Sequence, residues 1–250
     1  MGGGSIAQHV WRRIQETGLA QVEWIWMRRP EAWPQGQFDQ QPRIVTRLEE
    51  ALAQPVDLIV EAAHPDVVKR YGEQCLEAAD FMVLSLTALA DQTVEERLKQ
   101  ASRKSHKRLI APHGAVLGLD GILDARHLLQ EVSITTEKHP MSLEGAPSGG
   151  GVLFEGSTRE ACSKFPQNVN VHAAVALAGI GFDRTKSKIV ADPELTVNRH
   201  RIEVKGEGIS FKIEVASLSG GKLTGAYTPE STFASVIRAC SEAKEGLVIL

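Results

Sequence analysis

The chain has 250 residues, enough for one large domain or two modest ones with real cores. At 42% hydrophobic and 24% charged it is ordinary globular material, neither disordered nor fibrous. Its 28 basic and 31 acidic residues leave a net charge of −3, which gives no overall field for nucleic acid or an anionic membrane.

No apolar run approaches the ~20 residues of a membrane span, and the N-terminus lacks the charged-then-apolar pattern of a signal peptide. Cys75, Cys162 and Cys240 are odd in number and far apart, with no CxxC. That spacing argues for a reducing compartment and against a disulfide framework or a zinc site. A cytoplasmic protein is expected, with no metal.

The opening MGGGSIAQHVWRRIQETG places Gly2, Gly4 and Ala7 in a G-x-G-x-x-G/A pattern. Ile6, Val10 and Ile14 then recur at helical spacing until Gly18. In a dinucleotide fold such glycines allow a tight turn and close approach of backbone N–H groups to a pyrophosphate at a helix N-terminus. The strand that leads into such a turn is absent, and the chain begins at the turn. Val22–Met27 reads as the next strand and runs into Arg28-Arg29, with no acid there to bond a ribose. Pro30–Pro42 is a surface loop, followed by a short helix near Arg47–Ala53 and the apolar strand Val56–Glu61.

Ala62-Ala63-His64-Pro65 forms a strand-to-helix turn whose histidine either faces a cofactor or sits in solvent. Helix Asp66–Ala78, strand Phe81–Leu86, a polar turn Thr87–Asp91, helix Gln92–Ser102 and strand Leu109–Ala111 come next. The last leads into Pro112-His113-Gly114-Ala115. Such alternation indicates a parallel, doubly wound sheet with ligands beyond the carboxyl ends of its strands.

From Glu131 the pattern becomes strand-rich: Val132–Glu137, Gly151–Glu155, Lys188–Ala191, Val197–Val204 and Ile209–Val215. In Val197–Val204, period two sends Arg199, Arg201 and Glu203 to water and Asn198, His200, Ile202 and Val204 inward. Ile209, Phe211, Ile213 and Val215 likewise alternate with polar residues, predicting one buried face, and Gly206-Glu207-Gly208 turns the hairpin. Gly145–Gly151 is a loop, Thr158–Phe165 a helical turn, Asn168–Ala178 a Val/Ala helix, and Glu230–Glu242 a C-terminal helix. An inward histidine on a strand is either a hydrogen-bonded core residue or a proton carrier at a cleft. No GxSxG, GxxxxGK[ST], HExxH or EF-hand pattern points to another chemistry.

The segments FEGSTREACSKFPQNVNVHAAVALAG and ADPELTVNRHRIEVKGEG, with VEAAHP, VLSLTALAD and APHGAVLGLDGI upstream, resemble the L-aspartate dehydrogenase family over most of the chain. The resemblance implies a Rossmann-like parallel sheet (first strand missing) over 1–115 with 228–250, and a catalytic and dimerisation α+β domain of mixed or antiparallel sheet over 116–227. It implies NAD- or NADP-dependent oxidation of L-aspartate to the imine, then hydrolysis to oxaloacetate and ammonia, by a homodimer. His200 of N-x-H matches the family's catalytic histidine, and a histidine titrating near neutral pH suits both proton steps. Ala115 of HGA and Asn170 of NVN match cofactor contacts; Asn170 is alternatively a helix cap.

The substrate's two carboxylates need cationic or N–H partners, for which Lys138, Arg159 and Lys164 are candidates. Thr87 stands where the family has glycine, and PHGAV stands for its PSGAI. Two functions stay open at this point: an active dehydrogenase, or a shortened, catalytically weak form that keeps the fold and the dimer interface. Loss of the central strand would expose two strand edges and remove the cofactor's support.

Overall fold

The computed structural model describes residues 1–34, 36, 41–143, 145–218 and 226–241; residue 242, the expected end of the last helix, and the tail to 250 lie outside the described residues. The first half comprises α1 (Ser5–Thr17), β1 (Ile25–Trp26), β2 (Ile44–Val45), α2 (Leu48–Leu52), β3 (Leu58–Glu61), α3 (Pro65–Ala78), β4 (Asp80–Val83), α4 (Gln92–Ser105) and β5 (Leu109–Ile110). All its strand pairs are parallel, in two sheets ordered β1-β2 and β3-β4-β5.

Local chemistry sets the helix ends. Gly18 takes the left-handed conformation at φ 64° and donates its N–H to Ile14 O. His64 caps α3, with Pro65 preset for the first helical position. Asp91 caps α4 by accepting from the N–H groups of Thr93 and Val94.

The first two residues bridge β1 and β3. The Met1 α-amino group donates to Val60 O at 2.6 Å, Ala62 N–H donates to Met1 O at 2.9 Å, and Gly2 N–H donates to Trp26 O at 2.8 Å. Along the same line lies a cavity of about 490 Å³ walled by Val10, Ile14, Val22, Ile25, Leu58 and Val60. The expected strand Val22–Met27 accordingly shrinks to Ile25–Trp26, because its earlier residues face this slot and find no ladder partner there.

An apolar extended segment joined ahead of Met1 is expected to pair with both edges and to tighten dinucleotide binding. It should also raise Tm, each kcal/mol gained being worth ~2–4 °C in a chain of this size. Equal melting and equal affinity with and without the segment would show that the slot is not a strand's place.

The second half comprises α5 (Leu119–Asp124), β6 (Leu129–Lys138), β7 (Gly151–Ser157), α6 (Thr158–Lys164), α7 (Asn170–Ala178), β8 (Lys186–Ala191), β9 (Val197–Gly206), β10 (Ile209–Leu218) and α8 (Tyr227–Cys240). Its five strands form one mixed sheet in the order β10-β9-β6-β8-β7, with only β6 and β8 parallel. Val132 and Ile134 of β6, Ile202 and Val204 of β9 and Val175 of α7 make the core beneath it.

β9 keeps the expected parity: Asn198, His200, Ile202 and Val204 are buried, while Arg199 and Arg201 pair with Glu137 and Glu214 on the other face. β10 departs from expectation. As an edge strand its inward set, Ile209, Phe211, Ile213 and Val215, is only half-buried. α8 returns to α1, packing Phe233 and Val236 with Ile14, while Glu230 accepts from Arg13 and meets His9.

Candidate functional site

A cavity of about 210 Å³ opens where the carboxyl ends of β3, β4 and β5 face the second sheet. One wall is made of the turns that follow those strands: Ala62-Ala63, Leu84 to Leu86, and Pro112 to Ala115. The carboxylate of Glu61, fully buried at the end of β3, ties the first two turns together. It accepts from Ala63 N–H at 2.7 Å, Ser85 N–H at 3.0 Å and Ser85 Oγ at 2.9 Å. Three donors satisfy a charge that would otherwise be costly to desolvate. Reading Val56–Glu61 as an apolar strand gave this carboxylate no role; a lone acid closing an apolar run was its signal.

The opposite wall carries Lys138 at the end of β6, Asn168 and Asn170 at the start of α7, and Asn198 and His200 on β9. His200 and Thr136 are directly opposed in the β6–β9 ladder, and His200 Nδ1 lies 2.8 Å from Thr136 Oγ1. Thr136 Oγ1 also reaches His172 Nε2 at 2.7 Å. Asn198 Oδ1 is buried with no hydrogen-bond partner among the described residues. Lys138 Nζ donates to Asn168 Oδ1 at 3.4 Å.

Burial pushes the Lys138 ammonium down to about 8. Burial, reinforced by the Lys138 charge, pushes His200 down to about 3. The expectation of a histidine titrating near neutral pH is therefore corrected for the bare cavity: His200 is neutral there, because its charged form would be desolvated beside a cation. His172, fully buried, is held well below its ordinary value by desolvation, then by His200 and Lys138.

Of the residues singled out in the sequence, Ala115, Asn170 and His200 share this cavity. Gly2 and Ala7 instead line the slot beside β1, and Gly4 lines neither cavity. Gly2 has φ 99°, and a Cβ on it would stand 2.4 Å from Ala62 O, so only glycine fits the turn. Gly4 leads into α1, which has no side-chain cap and no acid in its first turn, and a Cβ on Gly4 would meet nothing within 4 Å. Open space before uncapped N–H groups fits a pyrophosphate.

His64 lies outside the cavity and caps α3, its Nδ1 accepting from Asp66 N–H at 3.2 Å. Thr87 is corrected from a polar turn residue to a buried one. The segment Leu86–Ala90 is a short 3-10 helix wedged against α7, with Thr87 N–H donating to Asn170 Oδ1 at 3.2 Å and Thr87 Oγ1 to Pro166 O at 2.8 Å. Asn170 thus bonds the neighbouring segment and still faces the cavity.

Among the three cations considered for the substrate, Lys138 alone lines the cavity. Arg159 is paired with Asp183 at 2.6 Å, and Lys164 lies over the Phe154 ring. Thr136 and His172 were not picked out from the sequence. A histidine inside a Val/Ala helix was the available signal.

The family model described as "Aspartate dehydrogenase, C-terminal" matches residues 120–239, and that described as "Homoserine dehydrogenase, NAD binding domain" matches residues 2–112. L-Aspartate dehydrogenase of Methanosarcina barkeri is 38% identical over 210 residues, covering 78% of this chain and 76% of its own. The chain belongs to the L-aspartate dehydrogenase family. Its likeness to L-aspartate dehydrogenase of Serratia proteamaculans, 36% identical, extends over 98% of this chain and 96% of that one. The crystal structure of aspartate dehydrogenase from Thermotoga maritima superposes with a TM-score of 0.75 at 27% identity, covering 98% of this chain and 97% of that one. As a member of this family the chain is an oxidoreductase that works with NAD or NADP. No helix among the described residues is long and apolar enough to cross a membrane.

Proposed function

We propose that L-aspartate is oxidised in the cavity between the parallel-strand turns and β9, with His200 as the acid–base group. The chain is an NAD(P)-dependent L-aspartate dehydrogenase by family. The observation that carries the assignment is the convergence of His200, Lys138 and Asn198 in one cavity with the turns of the dinucleotide-binding half.

L-Aspartate reaches the site as an ammonium and must lose a proton before its Cα can give up hydride. The neutral imidazole of His200 takes that proton, and the unpartnered Oδ1 of Asn198 accepts a second N–H and aims the nitrogen. Lys138 pairs with a substrate carboxylate. Burial is the main cause that holds His200 down, and that pairing offsets the smaller part added by the Lys138 charge, which makes His200 a better base once substrate binds. A bound nicotinamide would supply the acceptor for the hydride that leaves Cα.

Asn170, whose Oδ1 is engaged by Thr87, lines the cavity with Ala115, and its amide nitrogen would be the group to donate to a nicotinamide carboxamide. Gly2, Gly4 and Ala7 would let the backbone leading into α1 approach a bound pyrophosphate. His200 passes the substrate's proton to solvent and, neutral again, takes one from the water that attacks the iminium carbon, so that the C–N bond breaks and oxaloacetate and ammonia leave. Turnover of L-aspartate by His200→Ala tests the assignment, and near-normal kcat would remove His200 from it.

Residues 1–115 with 228–250 form the dinucleotide-binding domain in this reading, and 116–227 the catalytic and dimerisation domain. The homodimer is supported by family resemblance and by exposed apolar side chains on the second half, Met141 at 92% and Val152 at 56%. A cytoplasmic location is supported by three free cysteines.

The exposed pair Arg28 and Arg29 follows β1, with no acid beside them, and supports acceptance of a 2′-phosphate. NADP is expected to serve at least as well as NAD. Arg28→Ala/Arg29→Ala should lower kcat/KM for NADP more than for NAD, and a clear NAD preference unmoved by the double change overturns this.

A further inference from the structure

Behind His200 runs a closed line of buried polar side chains that reaches across the sheet. Thr158, Ser187, His172, Thr136 and His200 are each 5% exposed or less. Thr158 opens α6, Ser187 lies on β8, His172 on α7, Thr136 on β6 and His200 on β9. The links are short: Thr158 Oγ1 to Ser187 Oγ 2.8 Å, Ser187 Oγ to His172 Nδ1 2.8 Å, His172 Nε2 to Thr136 Oγ1 2.7 Å, and Thr136 Oγ1 to His200 Nδ1 2.8 Å.

Each hydroxyl owns a single proton, and a neutral imidazole owns a single N–H, so one fixed end orients the whole line. That end is Thr158 Oγ1, which lies 3.0 Å from the backbone carbonyl of Thr185. A carbonyl cannot donate, so the Thr158 proton must point to it. Ser187 then has to donate to Thr158 and accepts from His172 Nδ1–H. His172 is fully buried, with no carboxylate bonded to it and the Lys138 ammonium nearby, an environment that keeps it neutral. Its Nε2 is therefore a bare acceptor, and the Thr136 hydroxyl donates to it. The oxygen of Thr136 can only accept from His200, whose Nδ1 must carry the proton.

We infer that Thr136, and His172 through it, are positioning residues that lock His200 in the Nδ1–H tautomer and present Nε2 to the cavity as a base. This rests on the reading of His200 as the acid–base group and says why it starts as a base rather than as a donor. The line moves no proton itself. When Nε2 takes a proton from the substrate ammonium, Nδ1–H still donates to Thr136 and no other link need change. Without the line, the two neutral tautomers would compete and part of the population would present N–H where a lone pair is needed.

The test is 15N NMR of histidine-labelled protein at neutral pH, with the His200 signals assigned by their loss in His200→Gln. The wild-type chain is expected to show His200 protonated at Nδ1 and bare at Nε2, and His172 likewise. Thr136→Val, of equal size without the hydroxyl, should mix the His200 tautomers and lower kcat by ~10–100-fold, the cost typical of losing the partner that orients a functional histidine. KM for L-aspartate should move little, and Thr136→Ser should restore both the spectrum and kcat.

A wild-type His200 protonated at Nε2 overturns the inference, and needs no variant to be seen. So does a Thr136→Val enzyme with wild-type kcat. If His200→Ala keeps its turnover while the tautomer is as expected, the acid–base reading fails and the orientation of the line stands.

Discussion

Replacing His200 with alanine is expected to lower kcat for L-aspartate by ~10²–10⁴-fold, the range of a positioned acid or base. The structure adds a second expected result that parity alone did not give. His200 is 5% exposed and hydrogen-bonded to Thr136, which keeps its bond to His172, so the variant should also melt earlier, by at least the ~0.5–1.5 kcal/mol of one lost hydrogen bond. Both losses are expected together, and the affinity for dinucleotide, measured by calorimetry, should hold. An enzyme that melts early yet turns over normally would make His200 a core residue only.

The depressed titration also has a stability consequence. The folded value is lowered from the ordinary 6.5 to about 3, so the unfolded chain binds more protons in that window. Stability that depends on a neutral His200 is fully present above pH 6.5 and is lost as pH falls toward 3. Acid unfolding of His200→Ala should begin at lower pH relative to its own neutral stability than that of the wild type.

Replacing Lys138 with methionine is expected to cut kcat/KM for L-aspartate by ~30–10³-fold, as for removal of one partner from a desolvated charge pair. The loss should appear in KM more than in kcat, since a carboxylate is held alike in the ground and transition states. Dinucleotide affinity should be unchanged. Methionine keeps the length of the stem and removes a buried charge, so the variant should melt no earlier than the wild type. A Lys138→Met enzyme with normal KM for aspartate would exclude it as the carboxylate partner. The pH dependence has a definite sign: with the ammonium titrating at about 8, the wild-type KM should rise above pH 8, and that rise should vanish in the variant.

How much of this was legible in the sequence depended on how far each property reaches along the chain. The inward face of β9 was readable because side-chain alternation is a property of the backbone itself, and Asn198 and His200 are buried as period two required. Helix ends at Gly18, Pro65 and Asp91 were readable because capping is settled by a few neighbouring residues. The glycine of the first turn was readable as a pattern.

What tertiary structure alone decided was everything set by neighbours distant in sequence. Three cations were equal candidates until packing brought Lys138 to the cavity and sent Arg159 to Asp183. Thr87 read as part of a polar turn until the 3-10 helix carrying it was packed against α7. The titration of His200 could not be read from its motif, because it is set by desolvation and by an ammonium 62 positions away in the chain, at Lys138. The proton on His200 Nδ1 depends on a hydroxyl on β6 and, behind it, on a histidine of α7, contacts that span 64 and 36 residues. Periodicity fixes where a side chain points; only the fold fixes what it meets, and a histidine's protonation is decided by what it meets.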